Sequence, residues 1–295
     1  MTDPRVLLDR DEATGIARIT LNHPERRNSY DAAMRSQMAE YLDDLACDDD
    51  IKVVVLRGEG GVFSTGADMA NAYGWYGTGS EQPATNGDSP SRPRRPSQRR
   101  RLAVDREAFS FYHSLMGYPK VTVAEVRGYA LGGGFEMALM ADISVVARDA
   151  KIGMPATRFL GPALGSLHLF FHRLGPVLAR RLLLTGDTVA ASDFEHLTVF
   201  TEVVDDAQVE ARADWYARKI AKMPADGIVM AKEAFRLVEQ LQAYSGEEVA
   251  SYLFHAFGTN LQFESDEFNF VKVRAAHGTK RAFQLRDEHF EVPEP

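Results

Sequence analysis

One cysteine, two tryptophans and no apolar run approaching the roughly 18–20 residues of a bilayer span set the first limits on this 295-residue chain. With Cys47 alone, no disulfide forms within the chain, and the acidic run Asp48-Asp49-Asp50 beside it disfavours a thiolate. Cys47 is therefore expected as an inert, buried or half-buried helix residue. The start Met1-Thr2-Asp3-Pro4 has no charged-then-apolar leader, which reads as a soluble, cytoplasmic protein with no membrane partner. Positive charge is scarce as well: 34 Lys and Arg stand against 42 Asp and Glu, for a net charge of −8. That balance argues against nucleic acid as the partner, because phosphate binding needs clustered cations. The chain also lacks Gly-x-Gly-x-x-Gly after a strand, Gly-x-x-x-x-Gly-Lys-Ser/Thr, and Gly-x-Ser-x-Gly, so dinucleotide, nucleoside-triphosphate and serine-hydrolase readings have no support.

What the chain has is hydrophobic content of 45%, enough for a substantial core, arranged as alternating strand and helix patterns. Strand character falls on residues 6–9, 16–21, 53–56, 121–126 and 143–147, and helical spacing on 31–46, 104–116 and 134–141. From Ala207 the strands stop. Helices are predicted over 207–222, 225–243, 247–257 and 265–276. The Gly, Ser and Pro-rich stretch from Gly74 leads into the arginine tract Arg92–Arg101, and residues 74–98 read as a long flexible insertion.

Two glycine-marked loops carry the chemistry. Val62-Phe63-Ser64-Thr65-Gly66-Ala67-Asp68-Met69 and Val126-Arg127-Gly128-Tyr129-Ala130-Leu131-Gly132-Gly133-Gly134-Phe135-Glu136 each follow a strand, and the second runs into a helix. Bare backbone N–H groups at such places form an oxyanion hole, which holds the charge that collects on a carbonyl oxygen. Glu136 falls in the first helical turn, where its carboxylate reaches the same pocket. Taken alone, the glycine triplet is equally a tight strand-to-helix turn with a favourable acid at the helix start.

Together with Ile19-Thr20-Leu21-Asn22-His23-Pro24-Glu25-Arg26-Arg27-Asn28-Ser29-Tyr30 and Leu184-Thr185-Gly186-Asp187-Thr188-Val189-Ala190-Ala191, these loops resemble the crotonase (enoyl-CoA hydratase/isomerase) family in order and spacing over nearly the whole chain. The resemblance implies an α/β fold, a crotonase-like spiral of ββα units over residues 1–206, followed by a helical trimerisation region over 207–295. It implies a homotrimer or homohexamer acting on an acyl-CoA substrate, with no metal and no cofactor apart from the coenzyme A of the thioester. Carried over by position, the oxyanion donors are Thr65 and Gly133, the proton-transfer group is Glu136, and Arg26, Arg27, Ala67, Asp68 and Met69 lie against coenzyme A. Arg26 or Arg27 is expected on phosphate or, failing that, in a surface salt bridge near Glu25. The arginine tract is a solvated loop or a lid that meets the coenzyme A phosphates. Tyr73, Trp75 and Tyr76 border the acyl cavity or anchor the loop.

The chain departs from that pattern at one place. The family's hydratases use a second glutamate after a Gly-x-Pro segment, and here Gly153-Met154-Pro155 is followed by Ala156. The aspartate of isomerase-type members is replaced by Leu164. His168 and His172 come next, at a spacing that puts both imidazoles on one helix face, but no third metal ligand is evident; packing or pocket lining is the expected role of His168. Hydratase/isomerase chemistry is the leading expectation. Other enolate reactions (double-bond shift, C–C hydrolysis, decarboxylation) and non-catalytic acyl-CoA binding are its alternatives.

Overall fold

The computed structural model describes residues 4–71, 97–162, 165–258, 263 and 267–291. Most of the expected insertion, the three aromatics at 73, 75 and 76, and Leu164 lie outside those residues.

Among the described residues, nine strands form two sheets. The larger holds β1 (Val6–Asp11), β2 (Ile16–Leu21), β3 (Val53–Gly58), β4 (Val121–Val126), β6 (Ile143–Ala147) and β9 (Glu202–Val204) in the order β1-β2-β3-β4-β6-β9. The β1–β2 pair is antiparallel and every other pair is parallel. Val53-Val54-Val55-Leu56 is buried at every position, as a β-branched run must be in a strand covered on both faces. The smaller sheet joins β5 (Tyr129–Leu131), β7 (Lys151–Gly153) and β8 (Thr188–Ala190). Successive units thus place one long strand in the large sheet and one short strand in the small sheet before a helix follows.

Helix α1 (Ala32–Ala46) starts where Asp31 accepts the amide of Met34 at 3.0 Å and buries Met34, Met38, Leu42 and Leu45. Each such side chain contributes roughly 1.5–3 kcal/mol relative to exposure. Helix α2 (Gln98–Met116) starts earlier than its apolar periodicity predicts, because Ser97 accepts the amide of Arg100 and draws Arg99, Arg100 and Arg101 into the first turn. The last residues of the expected insertion, 97 and 98, are accordingly a cap and a helix start. Helix α3 (Gly133–Met140) is buried along its whole length. Cys47, at the end of α1, is exposed, contrary to expectation: the helix stops at Ala46 and the chain turns outward through the acidic run.

Beyond the short α4 (Thr157–Leu160) come α5 (Leu167–Thr185) and then the C-terminal helices α6 (Val209–Ala221), α7 (Ala225–Glu239), α8 (Ser245–Gly258) and α9 (Phe270–Phe290). A π-turn over residues 240–244 divides what the periodicity reads as one helix ending at Ala243. Helix α6 buries Val209, Ala213 and Ala217 against the large sheet, so it packs as part of the α/β core although it lies past residue 206. Among the C-terminal phenylalanines, Phe270 is buried and stacks on Phe159 at 4.6 Å between ring centres, Phe268 packs beside them, and Phe254 is exposed.

Candidate active site

The two glycine loops lie against each other because the first pairs with the second at Ser64 and with the Tyr30 segment at Ala67. Ser64 forms a parallel bridge with Ala130: its amide donates to Tyr129 O at 2.9 Å and its carbonyl accepts from Leu131 N at 3.0 Å. Three residues on, Ala67 bridges Tyr30 on the opposite side, with Tyr30 N donating to Gly66 O and Asp68 N donating to Tyr30 O, both at 2.9 Å. In such a bridge the flanking residues supply the bonds, and the N–H of Ala67 itself turns away from Tyr30, toward the β5 side. Buried polar side chains fix the arrangement. Ser64 Oγ donates to Asn28 O at 2.8 Å and accepts from Gly66 N at 3.0 Å. Asn28 Oδ1 accepts from His23 N, while its Nδ2 donates to Glu59 O and Val62 O.

Gly66 has φ of +82°, and a Cβ there would stand 2.6 Å from Leu131 O and 2.8 Å from Gly133 N. The loops therefore meet backbone to backbone, which only glycine permits. Gly133 opens α3, so its amide belongs to the first turn and has no intrahelical acceptor. Among the described residues, neither the Ala67 nor the Gly133 amide has a hydrogen-bond partner. Thr65 is different. Its amide donates to Arg27 O at 3.1 Å and its hydroxyl to the same oxygen at 3.3 Å. The expectation that Thr65 supplies an oxyanion donor is corrected on this point, because that N–H is already bonded within the 27–30 pairing.

These backbone groups open on a cleft of about 720 Å³. All eight residues predicted from the sequence, Arg26, Arg27, Thr65, Ala67, Asp68, Met69, Gly133 and Glu136, line it, as do Met154, Pro155 and Ala156. Glu136 is 4% exposed, and its Oε1 accepts the amide of Ser166 at 2.8 Å. Burial drives its pKa above the ordinary carboxyl value, and the Ser166 amide and hydroxyl with the charge of His255 offset only part of that rise. Beside Gly133 the buried hydroxyls of Tyr30 and Tyr112 hydrogen-bond to each other, and burial pushes both pKa values up. No carboxylate stands at position 156, which caps the short helix α4.

The arginines differ from expectation in their partners. Arg26 pairs with Asp68 at 3.3 Å, whereas Glu25 lies 3.2 Å from His23 Nε2; Arg27 stacks over the Tyr129 ring at 4.9 Å. His168 is not in this cleft. It stacks on His172 at 5.8 Å and lines a separate cavity of about 500 Å³ with Asp142 and Lys232, where burial and His172 lower its pKa.

Four cleft residues carry no local signal in the sequence. Asp105 and Tyr112 come from α2, His255 from α8, and Arg286 from α9. Periodicity marks their helices, but nothing near any of them in the chain indicates that the helices converge. Glu247 on α8 is also missed. It is 3% exposed, and its Oε2 accepts the amide of His168 at 2.6 Å.

Comparison with known proteins agrees with this architecture. A protein of Mycobacterium tuberculosis described as a probable enoyl-CoA hydratase is 32% identical over 286 residues, which cover 95% of this chain and all of that one. A 1,2-epoxyphenylacetyl-CoA isomerase of Escherichia coli is 30% identical over 226 residues, 76% of this chain and 80% of the isomerase. Among solved structures, an enoyl-CoA hydratase/isomerase from Xanthobacter autotrophicus superposes with a TM-score of 0.76 at 27% identity, covering 99% of this chain and 100% of that one. An enoyl-CoA hydratase from Mycobacterium smegmatis gives a TM-score of 0.76 at 27% identity, with 97% and 94% covered. The sequence profile for enoyl-CoA hydratase/isomerase matches residues 11–88 and 94–281, and on that match, these relatives and the fold, the chain belongs to the enoyl-CoA hydratase/isomerase family of the crotonase superfamily.

Proposed function

We propose that this crotonase-type enzyme holds the thioester oxygen of an acyl-CoA between the amides of Ala67 and Gly133 and moves a proton with Glu136. The observation that carries this reading is the convergence of two unspent backbone N–H groups and one buried carboxyl in a single cleft. Each such donor stabilises a developing oxyanion by roughly 3 kcal/mol, so the polarised thioester approaches an enolate. With its pKa raised by burial, Glu136 keeps a proton nearer to neutral pH than an exposed carboxyl does and is suited to exchange it with the α-carbon. Backbone and side chains of Arg26, Arg27, Ala67, Asp68 and Met69, which line the cleft, take the coenzyme A portion. Coenzyme A enters as part of the substrate, and no separate cofactor or metal is needed for this chemistry.

Hydration of an enoyl thioester is the reaction best matched by the family, with a double-bond shift as the second reading, favoured by the alanine at 156 and the isomerase relative. The C-terminal helices from α7 onward serve as the oligomerisation region of a trimer. Glu136→Gln tests the central claim: turnover of crotonyl-CoA should fall by about 10² to 10⁴ while affinity for the ester stays nearly constant. Undiminished turnover would remove Glu136 from the mechanism.

A further inference from the structure

An alanine at 156 leaves the cleft one proton-transfer group short, and α2 and α8 bring another to it. Asp105 on α2 is 2% exposed, and its Oδ1 lies 3.1 Å from Nδ1 of His255 on α8. The imidazole is held on its flank by the edge of Phe109, 5.4 Å between ring centres. Both members of the pair line the same cleft as Ala67, Gly133, Glu136 and Ala156. The α2–α8 contact is pinned elsewhere by Arg106 on the Tyr252 hydroxyl and by Ser251 Oγ 3.3 Å from His113 Nε2. Neither of those two pairs opens on the cleft, so the Asp105–His255 pair is distinguished by position and not by packing alone.

We propose that His255, oriented by Asp105, is the second proton-transfer group of this active site and replaces the carboxylate missing at position 156. The proposal rests on the reading of the cleft as an acyl-CoA site. A carboxylate 3.1 Å from Nδ1 favours the tautomer with the proton on that nitrogen, which leaves Nε2 the lone pair of a base. For an enoyl thioester, Nε2 takes a proton from water as the water oxygen bonds to the β-carbon. The π pair of the double bond moves to the α-carbon, and the charge spreads to the thioester oxygen between the Ala67 and Gly133 amides. Glu136 delivers its proton to the α-carbon. The imidazolium then loses its proton to solvent and Glu136 regains one, so the cycle consumes only water. Asp105 acts through His255 and is a positioning residue.

The test compares wild type, His255→Ala, His255→Gln and Asp105→Asn in the full chain. Three readouts are hydration of crotonyl-CoA, exchange of the α-protons of butyryl-CoA in deuterated water, and butyryl-CoA affinity by calorimetry. Expected for both His255 variants is hydration lowered by about 10² to 10⁴ with exchange and affinity retained. Added imidazole should restore part of the hydration in His255→Ala, an effect that a packing role does not produce. Asp105→Asn should lower hydration while leaving exchange in place. Undiminished hydration in the His255 variants overturns the proposal, as does a joint loss of hydration, exchange and affinity that imidazole does not reverse. Wild type that exchanges but does not hydrate also overturns it alone, whereas wild type that does neither overturns the acyl-CoA reading itself.

Discussion

Glu136 and Glu247 are both held at the start of α5, the first by the amide of Ser166 and the second by the amide of His168, two residues apart. Burial and the neighbouring Glu136 carboxyl push the Glu247 pKa up to about 8, against a lowering by the His168 amide. The sign of the consequence follows from linkage. An unfolded Glu247 releases its proton near pH 4.5, whereas the folded one keeps it to about pH 8, so stability falls as pH rises between the two and is constant beyond. Glu247→Gln keeps an oxygen for the His168 amide and removes the titration. At pH 8 it should stabilise the protein by on the order of 3 kcal/mol, and near pH 4.5 by much less. Thermal melts at the two pH values check this, and an equal shift at both would refute it. Legibility also divides at this scale. Glu136 is readable because its glycine loop and its helix are adjacent in the chain. Thr65 reads as the donor of the first loop, but its amide is taken by Arg27 O in the pairing with the segment that ends at Tyr30, which lies 37 residues earlier than Ala67. Asp105 and His255, 150 residues apart, have no local mark at all.

Elements show the same division by range of interaction. Long strands such as β2, β4 and β6, and helix α1, follow their hydrophobic periods closely, because a buried face repeats over several residues. The three-residue strands β5, β7, β8 and β9 are too short to show a period of two, and they exist because a neighbouring backbone pairs with them. Helix α9 runs to Phe290 although its apolar pattern fades near Ala276, where Gly278 interrupts the helical dihedrals. The bridged pair of loops, 64–67 against 129–133, is the element on which the proposed catalysis depends, and Gly66 is its hinge. Gly66→Ala forces a side chain into a conformation that costs roughly 1–2 kcal/mol and drives Cβ against two backbone atoms of the other loop. Separation of the Ala67 and Gly133 amides should follow, with turnover lowered by about 10² to 10³, the effect of losing one donor. Gly61→Ala is the control, because Gly61 also has positive φ, +71°, but a Cβ there meets nothing within 4 Å. It should lose comparable conformational energy and keep its turnover. Equal activity in the two variants would separate the loop contact from catalysis.

For the whole molecule, the large sheet and α6 form the core that holds the cleft, while α7 presents one face inward and one outward. Inward, Ile228 is buried and Lys232 forms an ion pair with Asp142. Outward, Met230 is 73% exposed and is followed by Leu237, Val238 and Leu241, the last 81% exposed. Positions 230 and 237 lie seven residues apart on one face of α7 and Leu241 follows in the π-turn, exposed apolar surface of the kind that monomeric proteins seldom leave in water. A second copy of the chain is the occupant that the proposed oligomerisation calls for, and on that proposal the stripe is the contact between copies. Met230→Asp with Leu237→Asp replaces apolar surface by four negative charges per dimer contact if the stripe faces itself, or two if it faces another patch, and either arrangement weakens association. Light scattering should show the wild type as a trimer or hexamer and the double variant as a smaller species, with the melting behaviour of the isolated core little changed because neither side chain is buried within the chain. Monomeric wild type at micromolar concentration would dismiss the stripe as an interface, and a double variant that still assembles would move the contact to another face of the C-terminal helices.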